Sequence, residues 1–233
     1  MASNKARPPK LAVMNSASRD HVSAPFIGNR IPMIGVVGGI GSGKSAVANW
    51  VAAQADVLVI DADKLGHDAL KSAIVKEALL QRFGPGIFGA DGFVNRSALA
   101  KQVFGDSPEQ LAARHELEQI VHPEIGRRIS EEVALATTSG RVAVLLDAAV
   151  LLEAGWRQLC DLVVFVDTPD AIRLARVQKN RNWTEDELAR REASQWSLDR
   201  KRQEADFVVT NDRDLEYAGR QFLELLRARS IVK

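Results

Sequence analysis

The sequence predicts an α/β protein: a five-stranded parallel sheet covered by helices. Three observations predict it. Five short apolar runs alternate with helix-like segments, the pattern of parallel strands joined by crossovers. A glycine-rich turn, "GGIGSGKS" over 38–45, joins the first run to the first helix-like segment. One connection, residues 62–141, is far longer than a simple crossover, carries no strand-like run and reads mostly as helices. A chain of 233 residues suffices for one such domain with an insertion, or for two small domains.

The first strand is expected at 33–37, in "PMIGVV", and its helix at 43–55, in "SAVANWVAAQA". Between them, Gly38, Gly43, Lys44 and Ser45 fit G-x-x-x-x-G-K-[ST], the phosphate-binding loop. Glycines let the backbone curl and turn successive N–H groups inward with no Cβ in the way. Those groups and the helix N-terminus favour phosphate oxygens. Lys44 would reach the β- and γ-phosphates, and the Ser45 hydroxyl would ligate Mg²⁺. A glycine turn that binds nothing is the bland alternative. The strand before, the helix after and the presence of both Lys44 and Ser45 weigh against it.

"DVLVI" (56–60) is the second strand, and Asp61 and Asp63 follow it. Open α/β sheets bind ligands beyond the carboxyl ends of their strands. Phosphoryl transfer to a hydroxyl needs one carboxylate to accept or orient its proton and another to organise Mg²⁺. Asp63 equally suits the N-cap of a helix beginning at Lys64, and Asp61 suits a turn; the roles are compatible. "DKLGHDALKSAIVKEALLQRF" then reads as one helix, and Ser107-Pro108-Glu109-Gln110 opens another with proline at its first position. This insertion, 62–141, is expected to bind substrate. Phe83, Phe88 and Phe93 read as its core, with the lining of a substrate groove as the alternative.

"RVAVLLD" (141–147) is the third strand, ending on Asp147 as a Walker B strand ends on its carboxylate. "CDLVVFVD" (160–167) is the fourth and "ADFVVTN" (205–211) the fifth. Between these two, Thr168-Pro169 can cap a helix carrying Arg173 and Arg176. Thr184 with Glu187 makes a capping box for the next, which carries Arg190 and Arg191. This basic hairpin, at 168–200, suits a lid that folds over ATP and brings an arginine to the transferring phosphoryl group. Arg176 is the best placed; Arg190, Arg191, Glu185 and Glu187 equally fit a solvated surface. Trp50, Trp156, Trp183 and Trp196 are scattered and read as packing residues.

Composition excludes several classes. A formal net charge of +1 gives no general field for nucleic acid. No apolar run reaches the about 18 residues that a membrane span needs. One cysteine, Cys160, cannot form an internal disulfide, which fits a reducing cytoplasm. Residues 1–32 differ: five Lys or Arg stand against one Asp, with few periodic apolar positions. They read as a flexible tail, with a basic targeting peptide or a natural start at Met33 as alternatives.

Six motifs in order carry a more specific reading: "GGIGSGKSAVA", "VIDADKLGH", "FGPGIFGADGFVNRSALAKQVF", "VHPEI", "LLDAAVLLEAGW" and "EADFVVTN". At these separations the chain resembles the dephospho-CoA kinase family over roughly residues 33–212. The resemblance implies a P-loop kinase fold: a core over 33–61 and 142–233, a helical CoA-binding insertion and a helical lid. It implies transfer of the ATP γ-phosphoryl group to the ribose 3′-hydroxyl of dephospho-CoA, with Mg²⁺. It implies Asp63 as base, with Lys44 and Arg176 also catalytic. The implied ATP-binding set is Gly39, Gly41, Ser42, Gly43, Lys44, Ser45 and Ala46. Asp63, Arg96 and His122 would face the acceptor, and Ser45 and Asp61 the metal. Gln195 and Asn211 match positions that frame the lid and nucleotide pocket. The expected protein is cytoplasmic, a monomer or small homo-oligomer, with no nucleic-acid or membrane partner.

Three departures stand out. The family's Asp-x-Pro-Leu-Leu-x-Glu reads Asp147-Ala148-Ala149-Val150-Leu151-Leu152-Glu153, so alanine replaces the proline. Ala46 replaces a threonine after Ser45. Asn180 stands where a second lid arginine usually follows, with Arg181 beside it. Two rival functions are a related kinase for a nucleoside or other small hydroxyl compound, and a non-catalytic nucleotide switch. Against the second, no Asn-Lys-x-Asp guanine-reading motif follows the fourth strand.

Overall fold

The computed structural model describes residues 31–105 and 107–233, so the tail expected over 1–32 lies outside the described residues but for Ile31 and Pro32. The five expected strands form: β1 (Met33–Gly38), β2 (Val57–Asp61), β3 (Ala143–Asp147), β4 (Leu162–Asp167) and β5 (Phe207–Thr210). All pairings are parallel, in the order β2-β3-β1-β4-β5. This puts β1, with the phosphate loop at its carboxyl end, in the middle of the sheet. Central parallel strands are covered on both faces, which is why β1 and β3 are continuous apolar runs and wholly buried.

Alternate side chains divide between two cores. Ile34, Val36, Leu145 and Val164 meet Val47, Ala48 and Val51 of α1 (Lys44–Ala52) and Phe222 and Leu226 of α9 (Leu215–Ala228). Met33, Val37, Val144, Leu146 and Phe165 point the other way, into a core that also holds Leu79, Ile87, Ile125 and Ile129. The long connection therefore packs on the sheet through one continuous core.

That connection folds as α2 (Ala62–Ala69), α3 (Ala73–Phe83), α4 (Arg96–Val103) and α5 (Pro108–Thr138). The single helix expected over 63–83 is two. The chain turns at Leu70–Ser72, so that Ala69 of α2 and both Val75 and Leu79 of α3 are buried, which one straight helix face does not achieve. Ser107 caps α5 as expected, its Oγ accepting from Gln110 N at 3.2 Å ahead of Pro108. Phe83 is core, but Phe93 is 52% exposed with Lys76 Nζ 5.3 Å from its ring centre, correcting the expectation that it is buried. One isolated antiparallel bridge, Phe88 to Val94, lies in a stretch that reads as strand-free.

After β4 come α6 (Asp170–Arg181), α7 (Glu185–Glu192) and α8 (Leu198–Glu204). Thr184 Oγ1 accepts from Glu187 N at 3.2 Å, but the Glu187 carboxylate turns to Arg190 and Arg191, so the expected capping box is half made. Thr168 does not cap α6: Pro169 holds that position and the Thr168 hydroxyl donates to the Ser42 carbonyl instead. Among the described residues, no helix is long and apolar enough to cross a membrane.

Candidate active site

The loop after β1 has the conformation its glycines allow. Gly41 and Gly43 have φ of 78° and 83°, a region that disfavours side chains. A Cβ on Gly43 would also lie 2.7 Å from Asn211 Nδ2. Ser42 N donates to Gly39 O at 3.1 Å, closing the turn. Gly43 occupies the N-cap of α1 and supplies no side-chain acceptor, so the N–H groups of the first turn face the cleft without a protein cap. The loop from Gly39 to Ala46 lines a cleft of about 420 Å³ together with Arg176, Asn180, Arg181, Asn211 and Leu215.

Carboxylates gather beside it. Asp61 and Asp147 are register partners at the ends of β2 and β3. Lys44 Nζ lies 3.5 Å from Asp147 Oδ1, an atom that is buried and accepts no hydrogen bond. The N-cap of α2 is Asp61, not Asp63; its Oδ1 accepts from Lys64 N at 2.9 Å. Asp63 is thereby freed from capping and sits in the first turn, accessible to solvent. Enclosure by the surrounding protein raises the Asp63 carboxyl above its ordinary value. Lys44 pulls it down, Asp61 and Asp147 push it up, and the nearby Ala149 backbone lowers it.

The arginines of α6 buttress the loop. Arg176 Nη1 donates to Ser42 O at 3.0 Å and faces Gly41 O at 3.4 Å, and Nη2 reaches Asn211 Oδ1 at 3.5 Å. Ser42 O also accepts from Asn211 Nδ2 at 2.7 Å and Thr168 Oγ1 at 2.9 Å. Arg173, which the sequence places on the lid with no stated contact, is 3% exposed. It donates to Ile40 O at 3.1 Å and pairs with Asp170 and Glu192, tying α6 and α7 to the loop.

The residues expected on the acceptor side are placed separately. Arg96 opens α4 and its Nη2 lies 2.8 Å from His67 Nε2, on the same helix as Asp63. His122 packs edge-on against Trp156, with ring centres 5.4 Å apart, and this burial lowers its pKa while Glu118 opposes the effect. Lys201, which sequence reasoning passed over, is 1% exposed and bonds Ala149 O, Gln195 Oε1 and Glu153. No periodicity marks it: it lies in "LDRKRQE", among exposed charges. Gln195 makes this contact with Lys201, and it is Asn211 that lines the nucleotide cleft.

The oxygens present suit a hard divalent cation. The exposed Ser45 hydroxyl at the loop and the Asp147 Oδ1 that accepts no hydrogen bond are the donors that Mg²⁺ prefers, and Asp61, the register partner of Asp147, uses only Oδ1 to cap its helix. Among the described residues, no three His, Cys, Asp or Glu side chains form a ready-made metal cage. Magnesium at a nucleotide takes most of its ligands from phosphate and water.

The family model for dephospho-CoA kinase matches residues 32–216. The chain belongs to the dephospho-CoA kinase family. A dephospho-CoA kinase of Rhodopirellula baltica is 37% identical over 200 residues, spanning 85% of this chain and 90% of that protein. One of Corynebacterium efficiens is 37% identical over 184 residues, spanning 78% and 90%. A solved Thermus thermophilus protein, 33% identical, superposes with a TM-score of 0.72 over 85% of this chain and 98% of that one. A solved Campylobacter jejuni dephospho-CoA kinase, 20% identical and with a TM-score of 0.54 over 86% and 97%, shares the fold. As a dephospho-CoA kinase this chain is an ATP-dependent phosphotransferase whose product is coenzyme A. Of the positions expected to depart from the family pattern, Ala149 is held by Lys201, and Ala46 and Asn180 line the cleft.

Proposed function

We propose that this kinase phosphorylates the ribose 3′-hydroxyl of dephospho-CoA with Asp63 as the base. One observation carries the reading: Lys44, Asp63, Asp61 and Asp147 interact electrostatically at the mouth of the phosphate loop, with Asp63 alone of the three carboxylates neither capping a helix nor paired to Lys44.

The loop N–H groups and Lys44 hold the triphosphate and neutralise charge that builds on the γ-phosphoryl group. Asp63 orients the 3′-hydroxyl and takes its proton as the oxygen–phosphorus bond forms and the bond to the ADP oxygen breaks. Ser45, Asp147 and Asp61 would hold Mg²⁺, which when bound supplies charge neutralisation across the β- and γ-phosphates. Gly39, Gly41, Ser42, Gly43 and Ala46 complete the ATP cradle. Arg96 and His122, on the insertion formed by α2–α5, belong to the acceptor side. Arg176 stands at the nucleotide face of the lid, where closure excludes water and limits ATP hydrolysis. The single buried Cys160 fits a reducing cytoplasm.

The test is ADP release with Mg-ATP in the presence and absence of dephospho-CoA, with the product weighed. Release that requires the acceptor, and a product heavier by one phosphate, supports the reading. A phosphate on another position, found by fragmentation, overturns the 3′ assignment. Acceptor-independent release points to an ATPase.

A further inference from the structure

A buried lysine outside the reacting groups connects two parts of the site. Lys201, on α8, is 1% exposed, and its ammonium has three partners. Nζ donates to Ala149 O at 2.9 Å and to Gln195 Oε1 at 2.9 Å, and lies 3.0 Å from Glu153 Oε1. Glu153 Oε1 also accepts from Trp196 N at 2.9 Å, while Oε2 is buried without a partner. Burying an ammonium and a carboxylate costs several kcal/mol per ion before their attraction offsets it. A leucine at each position would fill the space without that cost, so the pair is a poor device for stability alone.

The partners explain the arrangement. Ala149 and Glu153 lie on the segment that leaves β3 after Asp147. Gln195 and Trp196 lie on the stem that returns from the lid hairpin to α8. Lys201 thus staples the lid stem to the strand-end segment. Ala149, whose carbonyl it holds, lies two residues beyond Asp147, the carboxylate 3.5 Å from Lys44 Nζ, and its backbone also acts electrostatically on the Asp63 carboxyl. Alanine here leaves the backbone without a ring to stiffen it, so its orientation depends on the lysine.

We propose that Lys201 is a positioning residue for phosphoryl transfer: by holding the Ala149 carbonyl and Glu153 it fixes the strand-end segment that follows Asp147 and borders Asp63, and ties that segment to the stem of the lid. The inference rests on the reading of Asp63 as base. Loss of the staple leaves ATP on its loop but lets Asp63 and the lid drift independently, so water competes with the acceptor.

Lys201→Met alone strands the Glu153 carboxylate and can unfold the protein. The informative variant is therefore Lys201→Met/Glu153→Gln, which removes both charges. The full chain is assayed for thermal stability, KM for ATP, kcat and the ratio of ADP released to coenzyme A formed. The expected result is a KM for ATP within about twofold, a kcat lowered about tenfold or more, and a ratio raised above that of the wild type, in line with the loss that a small displacement of a reacting group causes. A double variant with wild-type kcat and coupling overturns the proposal. So does a fall in kcat with an unchanged ratio, which marks only a smaller folded fraction. Asp63→Asn is run beside it: an active Asp63→Asn enzyme rejects the base, whereas an inactive one with a wild-type double variant rejects Lys201 alone.

Discussion

Lys44 Nζ stands 3.5 Å from Asp147 Oδ1, joining the helix that follows β1 to the end of the neighbouring strand β3. The strand order makes the contact: β1 and β3 are hydrogen-bonded partners, with Val36 opposite Asp147, so the phosphate loop and the buried carboxylate lie at the same carboxyl end of the sheet. Asp61 is brought to the same place by its pairing with Asp147.

Lys44→Ala and Asp63→Asn are each expected to lower kcat by about two orders of magnitude or more, the scale of single electrostatic and acid–base contributions. Steady-state coenzyme A formation measures both. An Asp63→Asn enzyme of near wild-type rate removes Asp63 from the chemistry.

Arg176→Ala tests the role proposed for this arginine. Its guanidinium holds Ser42 O and lines the cleft over the loop. We expect KM for ATP to rise about tenfold, as for loss of a charged hydrogen bond of roughly 1.5–3 kcal/mol, together with a fall in kcat if the same group also reaches the transferring phosphoryl on closure. An increase in KM alone confines Arg176 to nucleotide binding.

Gly219→Ala is expected to lower stability by about 1–3 kcal/mol, the usual cost of overpacking. A Cβ there would lie 2.2 Å from the Trp50 ring, between α1 and α9. Chemical denaturation measures the loss, and KM for dephospho-CoA should stay unchanged. Full stability would mean that Trp50 moves aside freely.

His122 predicts a pH dependence. Burial beside Trp156 lowers its pKa below the ordinary 6.5, so the folded state binds fewer protons than the unfolded state between the two values. The neutral ring's contribution is complete above pH 6.5 and is lost as the pH falls through the lowered folded value. His122→Phe should therefore flatten the fall in melting temperature below pH 6.5 relative to wild type. Parallel curves for the two proteins would show that the imidazole is not desolvated.

Much of the fold was legible because its signals are local. The central strands β1, β3 and β4 are near-continuous apolar runs, and their burial on both faces imposes that composition. The loop is legible because the φ of 78° and 83° at Gly41 and Gly43 strongly favour glycine. The break between α2 and α3 was not, because it follows from which side chains meet the sheet and α5. The cap of α2 is hidden for a related reason: the sequence lets Asp63 be either an N-cap or a site carboxylate and Asp61 a turn residue, and only the end of β2 at Asp61 makes Asp61 the cap.

By itself, the sequence determined the strand–loop–helix phosphate site, the alternation that makes the sheet parallel, and the motifs of the kinase family. Each depends on residue type at short spacing, where backbone sterics and burial leave few choices. Only the tertiary structure decided which distant groups share the site. Thr168 and Asn211 converge on the carbonyl of Ser42, and Lys201 reaches back to Ala149 and Glu153. These bonds join residues dozens to more than a hundred positions apart. Their partners are set by strand order and helix packing, and a polar side chain carries no mark in the sequence of which buried carbonyl it will satisfy.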